Sequence, residues 1–116
     1  MIGKRWNFDL KCGEDDPQEI SFTNDDGSVT DLTGDVFALQ AKGHGGETTH
    51  VLDMNTTNGK ITVDASLGIV TLNFAGADTA AVTTSAADYD LKRTRAAGTV
   101  SYPYSGVIRF TPRVTP

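Results

Sequence analysis

Apolar residues recurring with a period of two constrain this chain more than any other feature. Trp6, Phe8 and Leu10 fall on one side of an extended segment, and Arg5, Asn7, Asp9 and Lys11 fall on the other. Successive side chains of extended backbone point to opposite faces, so this pattern predicts a half-buried strand. The alternation returns with Ile20 and Phe22 inward, then over Asp35 to Lys42 with Phe37, Leu39 and Ala41 inward. Thr49 to Asn55 would bury Leu52 and Met54, Ile61 and Val63 follow, and Ile69 to Ala75 would bury Val70, Leu72 and Phe74. Ala87 to Ala96 is expected to turn Tyr89 and Leu91 inward and to leave Asp90, Lys92 and Arg93 near the surface. Sixteen threonines support the same reading, because a β-branched side chain is stiff at χ1 and suits a half-exposed strand.

Turn chemistry separates these segments. Asn24-Asp25-Asp26-Gly27 reads as a tight turn, and Gly43-His44-Gly45-Gly46 as a flexible loop. Asn58-Gly59 predicts a type I′ hairpin, in which both central residues take positive φ. Ser66-Leu67-Gly68 leads into the next strand, and Ala97-Gly98 turns the chain again. Asp78-Thr79-Ala80-Ala81-Val82 predicts one helical turn near residues 77–83, with Asp78 as its cap and the turn crossing between sheets. Thr99 to Thr115 reads as a long strand with a bulge or bend at Gly106, and Pro103 and Pro112 place it partly at an edge. About seven or eight short antiparallel strands at this spacing predict an all-β sandwich, a single domain over residues 1–116.

Charge and composition narrow the function classes. Ten basic against fifteen acidic residues give a net charge of −5, which argues against nucleic acid and anionic membrane surfaces as partners. Cys12 is the single cysteine, so no internal disulfide and no thiolate metal cluster is expected. No apolar run approaches the ~18 residues of a membrane span, and Met1 to Leu10 lacks the apolar stretch of a secretory signal.

The chemistry-bearing residues point away from catalysis. His44 and His50 flank a glycine loop that holds no rigid metal geometry, and no metal or other cofactor is expected. Asp25, Asp26, Asp31 and Asp35, with Asp15 and Asp16, form an acidic run without the spacing of a calcium loop, and solvated turn acids are the expectation. Acids follow Cys12 closely, the opposite of an activating environment, and no Gly-x-Ser-x-Gly elbow is present. Asp88 and Asp90 share a strand face, whereas paired catalytic carboxylates usually face one another across a cleft.

The order of local motifs carries a resemblance. Asp31-Leu32-Thr33-Gly34 is followed by Asn58-Gly59-Lys60-Ile61-Thr62-Val63 and by Gly68-Ile69-Val70-Thr71-Leu72. Asp78-Thr79-Ala80-Ala81-Val82, Tyr89-Asp90-Leu91, Gly106-Val107-Ile108-Arg109-Phe110 and Val114-Thr115 complete the series, spanning residues 6–115. This series resembles small immunoglobulin-like β-sandwich proteins encoded among the tail and baseplate genes of tailed bacteriophages. The resemblance implies a virion structural protein made in the host bacterial cytoplasm, assembling into the tail or baseplate or anchoring tail fibres, with no catalysis. Its implied partners are other virion proteins and further copies of itself. A head-decoration or neck protein is the structural alternative. A carbohydrate- or receptor-binding sandwich touching a host-surface glycan is the alternative from another class.

Contact candidates follow from the residues. Tyr102 and Tyr104 flank Pro103 on one strand face, and either stack on a partner or pack on the core. The alternation of Trp6 with Phe8 points to the core, and its position near the terminus leaves a subunit contact as the alternative. His44 belongs to the glycine loop. Lys92, Arg93 and Arg95 are the one basic cluster on an acidic chain, either a complementary patch or a solvated strand end.

Overall fold

The alternating segments form strands, and their inward residues meet between two sheets. A computed structural model describes residues 4–43, 50–80, 82 and 85–112. Its strands are β1 (Lys4–Arg5), β2 (Phe8–Lys11), β3 (Asp16–Ser21), β4 (Val36–Gly43), β5 (His50–Asn55), β6 (Ile61–Asp64), β7 (Ile69–Phe74), β8 (Ala86–Thr94) and β9 (Val100–Thr111). One short helix, α1 (Gly76–Thr79), crosses from β7 to β8 and so between the sheets. The larger sheet runs β1-β9-β8-β4-β5, with β2 also on β9, and the smaller runs β3-β7-β6.

Between the sheets lie Leu10, Phe37, Leu39, Leu52, Met54 and Leu91 from the first, facing Ile20, Ile61, Val70, Leu72 and Phe74 from the second. Phe8 bridges the two sheets, its ring centroid 5.5 Å from that of Phe74. Each of these large side chains gains about 1.5–3 kcal/mol on leaving water, which is why the period of two predicted them. Cys12 is a free, buried thiol at the rim of this core.

The N-terminal strands run parallel to the last strand, with Lys4 opposite Tyr104 and Phe8 opposite Ile108. All other strand pairs are antiparallel. The ladder breaks at Trp6-Asn7, where the Asn7 side chain takes a backbone role. Its Oδ1 accepts from the Val107 N–H at 2.9 Å, while the Trp6 N–H donates to the Ser105 carbonyl at 2.8 Å. The Tyr89 hydroxyl donates to the Trp6 carbonyl at 2.5 Å. Gly106 makes this close approach feasible, since a Cβ there would lie 2.6 Å from Asn7 Oδ1 and overlap the Trp6 carbonyl. The expected bulge at Gly106 is therefore a close contact instead.

Burial pushes the Tyr89 phenol above its ordinary pKa, and the nearby Tyr104 phenol adds to the shift. In the unfolded chain this group ionises near pH ~10, while in the folded chain it keeps its proton. The native state then binds more protons than the unfolded state, so stability falls as pH rises past about 10. Tyr89→Phe should lose roughly 1 kcal/mol at neutral pH with the hydrogen bond, yet decline less steeply above pH ~10. Urea unfolding across that pH range checks both effects.

Four further expectations change. The irregularity of β9 lies earlier than Gly106: Leu91 pairs with Tyr104 but Arg93 with Ser101, so β9 holds one extra residue at Tyr102-Pro103. Pro103 has no N–H for the ladder, which makes this the place to leave it. The strand is also less of an edge than the prolines suggested, because from Tyr104 onward it has β8 on one side and β1 or β2 on the other.

Asn58-Gly59 is not a hairpin turn. It lies between β5 of the larger sheet and β6 of the smaller, so it turns a corner between sheets. Among the described residues only glycines take positive φ, Gly59 at 79°, which excludes type I′ here. Asn58 instead ties the corner with its side chain, Oδ1 accepting from the N–H groups of Asn55 at 3.2 Å and Lys60 at 3.0 Å.

The helix starts at Gly76, with Ala75 in the capping position and Asp78 at its third residue. Asp78 reaches back to the Ala75 N–H at 3.4 Å and forms an ion pair with Lys60. Residues 81 and 83 of the predicted turn, and Val114-Thr115 of the predicted last strand, lie outside the described residues.

Candidate interaction surface

The contact candidates divide between the interior and the outer face of the larger sheet. Trp6 and Tyr104 turn inward and are half-buried, their ring centroids 6.0 Å apart in an edge-on arrangement. Trp6 also packs on Phe8 at 4.7 Å, and Tyr104 on Phe22 at 6.1 Å. These rings close one end of the core, so the core alternative holds for both. Tyr102 and Tyr104 do not share a face, because the extra residue at Tyr102-Pro103 reverses the alternation between them. Tyr102 is left 50% exposed.

The basic cluster is also broken up. Arg93 is buried at 8% exposure, contrary to the expected surface position. The period of two through Ala87, Tyr89 and Leu91 carries it inward, where its Nε and Nη2 donate to Asp35 Oδ2 at 2.8 and 2.6 Å. Its guanidinium carbon lies 5.7 Å from the centroid of the Phe22 ring, a cation–π distance. Asp35 is accordingly no solvated turn acid. Its other oxygen accepts from the Ala96 N–H at 3.3 Å, tying the β8–β9 turn to the start of β4. Lys92 stays half-buried, and Arg95 is exposed in that turn. His44 lies outside the described residues.

The other acids serve their own turns. Asp26 accepts from the Ser28 hydroxyl at 2.5 Å and N–H at 2.9 Å, and these bonds hold its pKa below the ordinary carboxylate value. Thr33 does the same for Asp31 through its hydroxyl at 2.6 Å and N–H at 2.9 Å. A shallow depression of ≈ 700 Å³ runs beside Val29, Asp31, Val63 and Asp64. Its carboxylates are already engaged, Asp31 as above and Asp64 with the Ser66 hydroxyl and the Leu67 N–H. Among the described residues, no three His, Cys, Asp or Glu side chains come together as a metal site.

What remains is an apolar patch of which the sequence pointed to Tyr102 alone. Val36, Thr94 and Val100 form one row across β4, β8 and β9 on the outer face. Val36 is 46% and Val100 48% exposed, with Tyr102 one step along β9. Parity was the available signal: if Phe37, Leu39 and Ala41 face inward, Val36 must face out. Nothing local identified Val100, because its neighbours across the sheet are set only by the β8–β9 register.

Strand order identifies the class of this molecule. A β3-β7-β6 sheet packed on a β9-β8-β4-β5 sheet follows the B-E-D and G-F-C-C′ arrangement of an immunoglobulin-like sandwich, with the first strand moved onto the last. Leu91 stands two residues after Tyr89, where antibody domains carry the second cysteine after a tyrosine corner. Here the tyrosine hydroxyl bonds the N-terminal strand instead.

No protein-family model matches the chain, and no curated protein matches it. Among solved structures, the chain is similar to "Drosophila OTK, extracellular domains 3-5", at 12% sequence identity and a TM-score of 0.34. That match covers 97% of this chain and 33% of the other, so the chain spans about a third of that structure's length.

Proposed function

We propose that this chain is a structural protein of a tailed-bacteriophage particle, placed in the tail or baseplate or anchoring tail fibres, and acting through protein contacts rather than catalysis. The observation that carries the assembly reading is how the sandwich divides its side chains. Its polar groups bind other parts of the same chain: Asp35 with Arg93, Lys60 with Asp78, Tyr89 with Trp6, and Asp15 with the Gly76 N–H. Apolar side chains are meanwhile left on the outer face, a distribution that suits contact with another protein surface. The virion placement is supported by the motif series running from Asp31-Leu32-Thr33-Gly34 to Gly106-Val107-Ile108-Arg109-Phe110.

Immunogold labelling of purified particles tests the proposal, with label expected at the tail end. Label on the head or neck would keep the structural role and overturn the placement, and particles free of the chain would overturn the virion reading. Glycan binding is the second reading, favoured by the exposed Tyr102 ring. Calorimetry with a glycan panel should then show binding that Tyr102→Ala abolishes.

A further inference from the structure

Both sheets end in strands with one free side, where a row of backbone N–H and C=O groups is able to pair with another chain. Most of these edges carry an obstacle of their own. β3 has Pro17, which lacks an N–H, and the exposed carboxylate of Glu19. β6 is four residues long, and the Ala65 carbonyl just beyond it accepts from the Leu32 N–H at 3.4 Å. β1 and β2 make two short ladders separated by the break at Trp6-Asn7. The sequence of β5 holds no such obstacle. It is six residues long, without proline, lysine or arginine, and its one carboxylate, Asp53, accepts from Gln40 Nε2 of β4 at 3.5 Å.

The free side of β5 is covered instead by Asn58. Alternate residues of an antiparallel strand turn their backbone groups to the same neighbour. The Thr56 N–H bonds the Phe37 carbonyl of β4, and Met54 and Leu52 follow it in facing β4, so Asn55 and Asp53 face away. Asn58 takes the outward groups of both. Its Oδ1 accepts from the Asn55 N–H at 3.2 Å, and its Nδ2 donates to the Asp53 carbonyl at 3.4 Å. Two further bonds fix this amide in place: the Asn58 N–H donates to Asn55 Oδ1 at 2.7 Å, and Oδ1 also accepts from the Lys60 N–H at 3.0 Å. One side-chain amide thus stands where the peptide of a further strand would lie.

We propose that Asn58 is an edge guard, and that the partner it keeps off is β5 of a second copy of the chain. Two β5 strands related by a two-fold axis can pair with Asp53 of one opposite Asn55 of the other, which keeps the two carboxylates apart. In that register each Asn55 N–H donates to the other copy's Asp53 carbonyl. Those are the two groups that Asn58 holds, so the guard and the second copy compete for the same bonds.

The inference is independent of the virion reading and is tested on the isolated chain. In the wild type, the Asn55 amide should exchange its hydrogen at least about tenfold more slowly than the Asp53 amide, which also faces away from β4 and has no acceptor among the described residues. Equal exchange of the two would overturn the guard, and this measurement needs no variant to stay folded. Asn58→Ala should self-associate with a dissociation constant at least about tenfold below that of the wild type in sedimentation velocity, with melting curves confirming the fold. Asp53→Pro added to it should return the chain to wild-type behaviour, because the N–H it removes does not belong to the β4 ladder. Asn58→Ala that associates no more tightly than the wild type would overturn the proposal. Association that survives Asp53→Pro would overturn it as well, by placing the contact away from the β5 edge. Particle labelling depends on none of these results, so failure of the virion reading is told apart from failure of this one.

Discussion

Asp35→Ala should destabilise the chain by about 3–5 kcal/mol, the usual cost of removing one partner from a buried ion pair. The substitution leaves the Arg93 guanidinium at 8% exposure with no carboxylate, held only over the Phe22 ring. It also removes the acceptor of the Ala96 N–H, so the β8–β9 turn loosens with it. The pair need not be a large net stabiliser to have this effect. Taking both charges out of water costs about as much as their attraction returns, so Asp35→Leu combined with Arg93→Met should lie near the wild type. Guanidinium denaturation of the two variants checks the contrast. A loss below about 1 kcal/mol in Asp35→Ala, the average effect of an arbitrary substitution, would mean that Arg93 swings out to solvent.

Gly106→Ala should release the N-terminal strand while leaving the sandwich folded. The new Cβ would overlap the Trp6 carbonyl, which is backbone and is held in place by the Tyr89 hydroxyl. Overpacking of this kind costs roughly 1–3 kcal/mol, more than a short edge strand can absorb. The break at Trp6-Asn7 already limits that strand to two short ladders. Deuterium exchange should accelerate over residues 4–11 with the rest protected, and the fluorescence of Trp6, the one tryptophan, should shift to the red. Unchanged protection of that segment would show that the strand accommodates the methyl group by sliding.

These two sites mark where sequence reasoning stopped. The inward residues were legible because burial imposes a strict parity on a strand, and Phe37, Leu39, Val70, Leu72 and Leu91 all obeyed it. Arg93 obeyed the same parity, but its charge argued for the surface, and the Asp35 that reverses that argument lies 58 residues away. Asn58-Gly59 has the composition of a hairpin, and only the strand pairing shows that its two flanks belong to different sheets. Likewise Tyr102 and Tyr104 look equivalent until the β8 register places an extra residue between them. Of the apolar patch, Tyr102 alone was legible. Val36 and Val100 meet only once three strands are aligned.

The parallel pairing of the first strand with the last also sets a schedule for synthesis. Asn7 and Val107 are 100 residues apart, and the larger sheet has no place for β1 and β2 until β9 leaves the ribosome. Pairings of such separation close slowly, after the local hairpins. Trp6 and Phe8 therefore wait for Phe74, Tyr89 and Tyr104 to be made, and until then their rings have only each other. Transplanting β1 and β2 to the C-terminus by circular permutation would abolish that delay, and the folding rate of such a chain would show how much of the waiting is topological.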